Sequence, residues 1–409
     1  MRYYLGVDWA DASHMVWAMD ETGDKVLSRT IEHTPVALSE WGRQLDEWQA
    51  QGIEVWAAIE RPHGMIVDFL LDHGVSVFPV NPKALDRARD RFRPSGSKSD
   101  PFDARVLADF LRTDHARLHV LRPSSSEAQE LKWLTDDFAR LTRQQTRLLN
   151  QLTATLKAYY PLAVTMWSDL TTQVARAFLH AYPTPEAASR LSSRRWEQFA
   201  RAHRLSAARR EALWAQVQAL QIPMPATVVR AKARLAGVLV GQLDALVPAL
   251  AAYQTEIERF FEHMPAAAWA RTLPASKTGT TVPTLWARLG DAPGRWSSWH
   301  HLQACAGTVP VTERSGKYTG VRFRFACDKQ LRTIIDRFAF LSLRTSEWAQ
   351  GYYRRQRARG HGHRRALRAL AAKWLKILFV LWSRQCPYDE THHLATMARQ
   401  ELRRTVVIA

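Results

Sequence analysis

Cysteine is scarce in this chain. Its 409 residues hold three, Cys305, Cys327 and Cys386, and no two stand in a Cys-x-x-Cys spacing. That excludes a disulfide framework and a zinc knuckle, and it fits a reducing compartment. Long apolar runs are also missing: nothing approaches the roughly 18 residues a membrane span needs. The opening Met1-Arg2-Tyr3-Tyr4 leads into a strand pattern rather than a signal peptide. The expected setting is therefore cytoplasmic, nucleoid-associated and free of membrane. Acids are short as well, with 39 Asp and Glu against 57 Lys and Arg, a formal charge of +18. Such an excess predicts attraction to a polyanion, of which nucleic acid is the commonest. A merely basic surface is the plainer alternative. The length allows two or three domains with proper cores.

What acid there is falls in telling places. Tyr3 to Trp9 reads as a buried strand running into Asp8, and Ile53 to Ile59 as another ending on Glu60. Strands are also expected over Ser13 to Met19 and Lys25 to Ile31, joined by the tight turn Glu21-Thr22-Gly23-Asp24, and over Val75 to Val80. Helices should cover Pro35 to Gln51, Met65 to Asp72, and a stretch from Pro82. A meander that gives way to alternating strands and helices implies a mixed sheet covered by helices, an α/β domain. An acid closing a buried strand is costly unless solvated, paired or bound to metal, although for either alone a plain turn acid is the simpler reading.

The words Lys98-Ser99-Asp100-Pro101-Phe102-Asp103-Ala104 read as a helix start, with Asp100 at the N-cap and Pro101 at the first helical position. Asp100 and Asp103 stand three apart and so face one way. Two readings remain open on these residues. They form a capping pair favoured by the helix dipole, or they join Asp8 and Glu60 around magnesium, a hard cation that takes oxygen ligands. The basic loop Arg91 to Lys98 precedes them.

From Glu127 the pattern turns to long helix. Leu131, Leu134, Phe138, Leu141, Gln145, Leu148, Leu152 and Leu156 keep a 3–4 spacing, and so do Leu246, Leu250, Tyr253, Ile257, Phe260 and Met264. Pro248 should kink or interrupt the second run. An antiparallel pair is the simplest packing, as a coiled coil or within an ordinary bundle. Between them, Tyr182-Pro183-Thr184-Pro185 breaks a series of shorter helices. Further on, Ala306-Gly307-Thr308-Val309-Pro310 leads to Glu313-Arg314-Ser315-Gly316-Lys317, with Arg322, Arg324 and Lys329 following. A Ser-Gly pair in a polar loop is ordinarily a turn, and here it stands among cations suited to a phosphate. His300 and His301 are expected to shape a helix start. Between Gly351 and Lys376 lie nine Arg or Lys and no acid, among them Arg354, Arg355, Arg357, Arg359, Arg364 and Arg365, beside Tyr352 and Tyr353. Arginine with tyrosine suits phosphate contact and base stacking. The pair His361 and His363 lacks a companion ligand and makes a poor metal site. The helix Ala366 to Trp382 should pack as core, and residues after Pro387 look like a loose tail.

The order of strand acid, second strand acid and helical Asp-x-x-Asp resembles the RuvC-like branch of the RNase H fold. The local words Gly6-Val7-Asp8, Ile59-Glu60, Val80-Asn81-Pro82 and Lys98 to Ala104, together with Ala-Gly-x-x-Pro and the later Ser-Gly, are similar to those of the DEDD transposases of insertion sequences, the bridge-RNA-guided serine recombinases related to pilin-gene invertases. The resemblance implies three parts: a RuvC-like domain over 1–125, a helical coiled-coil insertion over 126–265, and a mostly helical transposase domain over 266–409. It implies Asp8, Glu60, Asp100 and Asp103 as ligands of Mg2+, with Mn2+ able to substitute, and Ser315 as nucleophile. It implies donor and target DNA, an element-encoded guide RNA, and a homo-oligomer, dimer or tetramer, assembled through the coiled coil. One word departs from the pattern: Ala275 stands where the family carries the first glycine of a Pro-Gly-x-Gly hairpin. Two rival classes stay in view, a metal-dependent junction nuclease that uses water and a nucleic-acid-binding protein with no catalysis.

Overall fold

The computed structural model describes residues 1–60, 64–92, 99–219, 223–274, 279–315 and 318–396. The chain divides into two compact units, Met1–Pro123 and the remainder from Ser124. In the first, β1 (Arg2–Trp9), β2 (Ser13–Met19), β3 (Lys25–Glu32), β4 (Glu54–Ile59) and β5 (Ser76–Pro79) form one sheet in the order β3-β2-β1-β4-β5. β1, β2 and β3 are antiparallel neighbours, while β4 and β5 run parallel to β1. This is the mixed sheet that the strand pattern predicts.

Side-chain alternation along β1 sorts the two faces. Leu5 and Val7 join Ala57 and Ile59 in a core with Trp41, Leu45 and Trp48 of α1 (Pro35–Ala50) and Ile66 and Leu70 of α2 (Met65–Asp72). Tyr4, Ala58 and Phe78 point the other way, against Leu85 of α3 (Pro82–Asp90) and Phe102, Val106, Leu107 and Leu111 of α4 (Asp100–Asp114). Burying each of these large side chains stabilises the layer by roughly 1.5–3 kcal/mol. α1 and α3 start where the chemistry says they should: Thr34 and Asn81 accept amide protons from Ala37 and Lys83, each followed by proline. α4 starts one residue earlier than expected. Ser99 is its N-cap, without a side-chain cap bond, so Asp100 already lies in the first turn and does not cap it.

The second unit is helical. α5 (Ser126–Tyr159) is followed by α6 to α10 (Pro161–Met166, Gln173–Ala181, Pro185–Ser189, Ser193–Ala202 and Ala207–Gln218) and then by α11 (Ala226–Glu262). Leu131 near the start of α5 shares a core with Ile257 and Phe261 near the end of α11. Leu148, Leu152 and Leu156 share another with Ala236, Leu239 and Leu243. The two helices are therefore antiparallel, as the twin 3–4 seams imply. Of the two outcomes expected at Pro248, interruption does not occur: α11 runs on through it, with Leu246 and Leu250 buried on either side. The helix also contains a stretch long and apolar enough, by composition, to cross a membrane, contrary to the reading that no such run exists. Of that window 33% is buried, and along α11 Leu239, Val240, Leu243 and Leu246 lie in the helical core.

After α12 (Ala267–Ala270), α13 (Thr281–Leu289) and α14 (Trp299–Cys305) comes a hairpin, β6 (Val311–Ser315) and β7 (Tyr318–Arg322), and then α15 (Lys329–Ser342), α16 (Glu347–Ala358) and α17 (His363–Arg384). α17 packs as core through Leu370, Trp374, Leu378 and Leu381, as its spacing predicts. The segment after Pro387 is not the loose tail expected, at least as far as 396. Tyr388 packs on Trp374 and its hydroxyl accepts the Trp348 indole N–H at 2.5 Å, while Glu390 accepts the Ser346 hydroxyl at 2.9 Å. Residues 397–409 lie outside the described residues.

Candidate active site

The acids of the first unit are gathered by register. β1 and β4 pair in parallel up to Val7 opposite Ile59. One step on, Asp8 and Glu60 stand side by side at the carboxyl ends of adjacent strands, where open α/β sheets present ligand-binding groups. By alternation both share the face of Tyr4, Gly6 and Ala58, the face that α4 covers. Gly6 decides how close that helix comes. A β-carbon there would lie 1.8 Å from the Ala104 carbonyl oxygen and 2.7 Å from the Ala108 nitrogen, so only glycine admits α4 at this distance. The same contact carries Asp100 and Asp103 toward Asp8.

The electrostatics report the gathering. Burial first, and then the charges of Asp103, Asp100 and Glu60, push the Asp8 carboxyl up to about 6, against a smaller opposing pull from Arg89. A carboxylate so placed lacks positive charge. Part of what is available is tied up. Asp103, 8% exposed, receives two bonds from Arg89, Nε to Oδ1 at 2.7 Å and Nη2 to Oδ2 at 2.8 Å, and Arg89 also reaches Asp86 at 2.5 Å. Of the capping reading, one half fails and one holds: Ser99, not Asp100, is the N-cap, but both acids stand in the first turn at the positive end of the helix dipole, with Asp103 also held by an arginine. As they stand, no three His, Cys, Asp or Glu side chains among the described residues are arranged to hold a metal ion. The donor set itself, four carboxylates with one half-buried arginine, fits a hard divalent cation once Asp103 is released. Lys98 and most of the basic loop before α4 lie outside the described residues.

In the second unit Ser315 is the last residue of β6, exposed, opposite Tyr318. It therefore sits at a strand end rather than in a loop. Arg314 is its neighbour on the strand, and Lys317 lies outside the described residues, as does Ala275. The remaining cations are not around the serine. Arg322 pairs with Val311 four ladder positions away, about 13 Å by strand rise, and is bonded to Glu313 at 3.0 Å. Arg324 and Lys329 follow still further along the chain, Lys329 opening α15. What pins the hairpin base is a residue the sequence did not single out. Arg332 donates to the carbonyls of Arg324 and, at 3.4 Å, Ala306, and its guanidinium lies 4.4 Å from the Phe323 ring, as does that of Arg368. His301 starts α14 as expected, its amide bonded to Ser298.

Arg354, Arg355, Arg357 and Arg359 on and just beyond α16, and Arg364 and Arg365 in the first turn of α17, are all exposed, and none makes an ion pair among the described residues. His361 and His363 are bonded to Gln356 and Tyr353, each at 2.7 Å. They are structural.

A sheet closed by two strand-end acids and a helical Asp-x-x-Asp, with a serine hairpin in a separate unit, invites comparison with enzymes that act on DNA strands. The family model of DEDD transposases of the IS110 type matches residues 5–161, and that of the IS116/IS110/IS902 transposases matches residues 271–354. A Streptomyces coelicolor protein named as the mini-circle transposase for IS117 is 29% identical over 97% of this chain and 98% of its own length. A Sinorhizobium fredii transposase, y4uE, is 34% identical over 49% of this chain and 57% of its own. The 43.6 kDa protein of insertion element IS110 from Streptomyces coelicolor is 25% identical over 92% of this chain and 93% of its own. The class is thus that of insertion-sequence transposases, enzymes that cut and rejoin DNA. Within it, the chain belongs to the IS110 family of DEDD transposases.

Proposed function

We propose that this transposase is an RNA-guided DNA recombinase whose first unit is RuvC-like, with Asp8, Glu60, Asp100 and Asp103 as metal ligands and Ser315 as nucleophile. The observation that carries the reading is the placement of Asp8 and Glu60 at the ends of adjacent parallel strands, under a helix whose first turn holds Asp100 and Asp103 and which Gly6 admits at close range. Magnesium bound there would neutralise charge building on the oxygens of the scissile phosphate.

The steps for the chain's own residues follow. Ser315 Oγ attacks the phosphorus and gives up its proton. The bond from phosphorus to the leaving strand oxygen breaks, that oxygen takes a proton, and a phosphoserine diester remains. The free hydroxyl of the exchanging strand then attacks the same phosphorus, and the serine hydroxyl is restored. Neither step consumes energy, since one phosphodiester is exchanged for another. Arg314 stands next to the serine to hold a phosphate oxygen. Arg354, Arg355, Arg357, Arg359, Arg364 and Arg365 contact nucleic-acid backbone. A structured RNA of the element chooses the donor and target DNA, and the active form is a dimer or tetramer.

The test is to trap the intermediate. Protein, element RNA, donor and target DNA and Mg2+ are mixed, denatured, and searched for a protein–DNA adduct, whose attachment site is mapped by mass spectrometry. The adduct is expected on Ser315 and absent from Ser315→Ala and from Asp8→Asn. Cleavage by Ser315→Ala at the ordinary rate would instead establish a nuclease that uses water.

A further inference from the structure

A cavity of about 720 Å3 opens between α16, α17 and the segment 386–396, beside the basic face whose Arg355 and Arg359 are proposed above to meet nucleic-acid backbone. Its floor is aromatic. Trp348 packs on Trp374 with ring centres 4.7 Å apart and is fastened to Tyr388 through its indole N–H. Tyr352, half-buried, forms one wall, with the Lys373 ammonium 6.0 Å from the centre of its ring. Around these flat surfaces stand Arg355 and Arg359 from the α16 side and Lys373, Lys376 and Arg384 from α17, all exposed, and none of them ion-paired among the described residues. Burial raises the Tyr352 hydroxyl pKa while Arg359 and Arg355 pull against it, which places both guanidinium groups near that wall.

Among the described residues, no carboxylate is left to compete for these cations. The lining carboxylate, Asp389, is spent on its own turn, accepting from the Thr391 hydroxyl at 2.7 Å, the Thr391 amide at 2.9 Å and the His392 amide at 3.2 Å. A planar uncharged group inside and negative groups at the mouth are what such walls complement, and a nucleotide within a strand has both. The volume falls in the range of sites that enclose one small-molecule-sized group. It is far too small for a duplex. A base can reach it only when unpaired or turned out of its stack.

We propose that this cavity receives one unpaired nucleotide of the nucleic acid the transposase holds, its base against Tyr352 over the Trp348–Tyr388 floor, and its flanking phosphates on Arg355, Arg359, Lys373 and Lys376. The idea rests on the transposase reading but not on Ser315 or the acids. The test uses the full chain and five-nucleotide oligomers with 2-aminopurine at the centre, as deoxy- and ribo-strands, beside the same sequence within a duplex. Single strands should bind with the 2-aminopurine emission quenched severalfold. Tyr352→Ala and Lys373→Gln should each weaken that binding about tenfold, of the order that stacking and charge contribute, with duplex affinity held within twofold. Tyr352→Phe, which keeps the ring and the fold, should bind as the natural protein does. Ser315→Ala should bind unchanged, so a failed recombination mechanism would leave this result standing. Tighter deoxy-binding assigns the nucleotide to a DNA strand, and tighter ribo-binding to the RNA. Unquenched emission at saturation, or equal losses for single strand and duplex in Tyr352→Ala, would reduce the cavity to a basic surface and overturn the proposal.

Discussion

At the scale of single residues, Asp8 and Arg89 set the terms. An ionised Asp8 facing three acids destabilises the fold unless a cation sits among them. Asp8→Asn should therefore raise the thermal midpoint in EDTA while abolishing strand cleavage, and Mg2+ should raise the midpoint of the natural protein more than that of the variant. A midpoint unmoved by Mg2+ in both proteins would speak against a metal at this place. Arg89 occupies both oxygens of Asp103. Arg89→Gln frees them, and the Mg2+ concentration for half-maximal cleavage should fall severalfold. Loss of cleavage at every Mg2+ concentration would mean that the arginine positions Asp103 instead of competing for it. Neither Arg89 nor Arg332 was legible in the sequence, where each is one arginine among many on a basic helix. Only the fold says which of them meets a buried carboxylate or a carbonyl.

At the scale of elements, the close approach of α4 to β1 is the most exposed point of the design. Gly6→Ala puts a methyl group into the Ala104 backbone. It should cost about 2 kcal/mol in urea unfolding, in the range for overpacking, and remove metal-dependent activity with it. The strands, the helices of the first unit and both long seams could be read from periodicity alone, since a two-residue or 3.6-residue repeat is a local property. The reason for Gly6 could not, because it depends on what crosses above it. The segment after Pro387 misled for a related cause: its polar composition hides one tyrosine that finds two tryptophans distant in sequence. A second element-level prediction concerns Asp244 on α11. Burial tends to raise its carboxyl, but bonds from His180 at 2.6 Å and Arg176 at 2.6 Å hold it below the usual 3.8. A lowered carboxyl stabilises the fold at pH above the unfolded value, and that contribution is lost as pH falls through the folded one. Asp244→Asn should thus be less stable at neutral pH, with the gap to the natural protein closing as pH drops below 3.8.

At the scale of the whole molecule, the charge of +18 should dominate affinity. Each phosphate contact made by an exposed arginine releases counterions, so binding falls by about 0.9 in log affinity per log unit of salt per contact on B-DNA. Replacing Arg354, Arg357, Arg364 and Arg365 by glutamine should flatten the measured slope by up to about four times that amount, with little change in melting, because none of the four is ion-paired among the described residues. An unchanged slope would place the nucleic acid on another face. The charge was legible at once; its division into a stacking cavity and an open basic helix was not, since that depends on how α16 and α17 fold back on each other. One last consequence belongs to α11, a beam of 37 residues anchored in two separate cores. Proline at 248 has no amide hydrogen, so the Asp244 carbonyl one turn earlier loses its rung. Strain applied to either core travels along the beam and meets this missing rung first. Amide deuterium uptake should therefore begin at residues flanking 248, well before the ends of the same helix buried in either core begin to exchange.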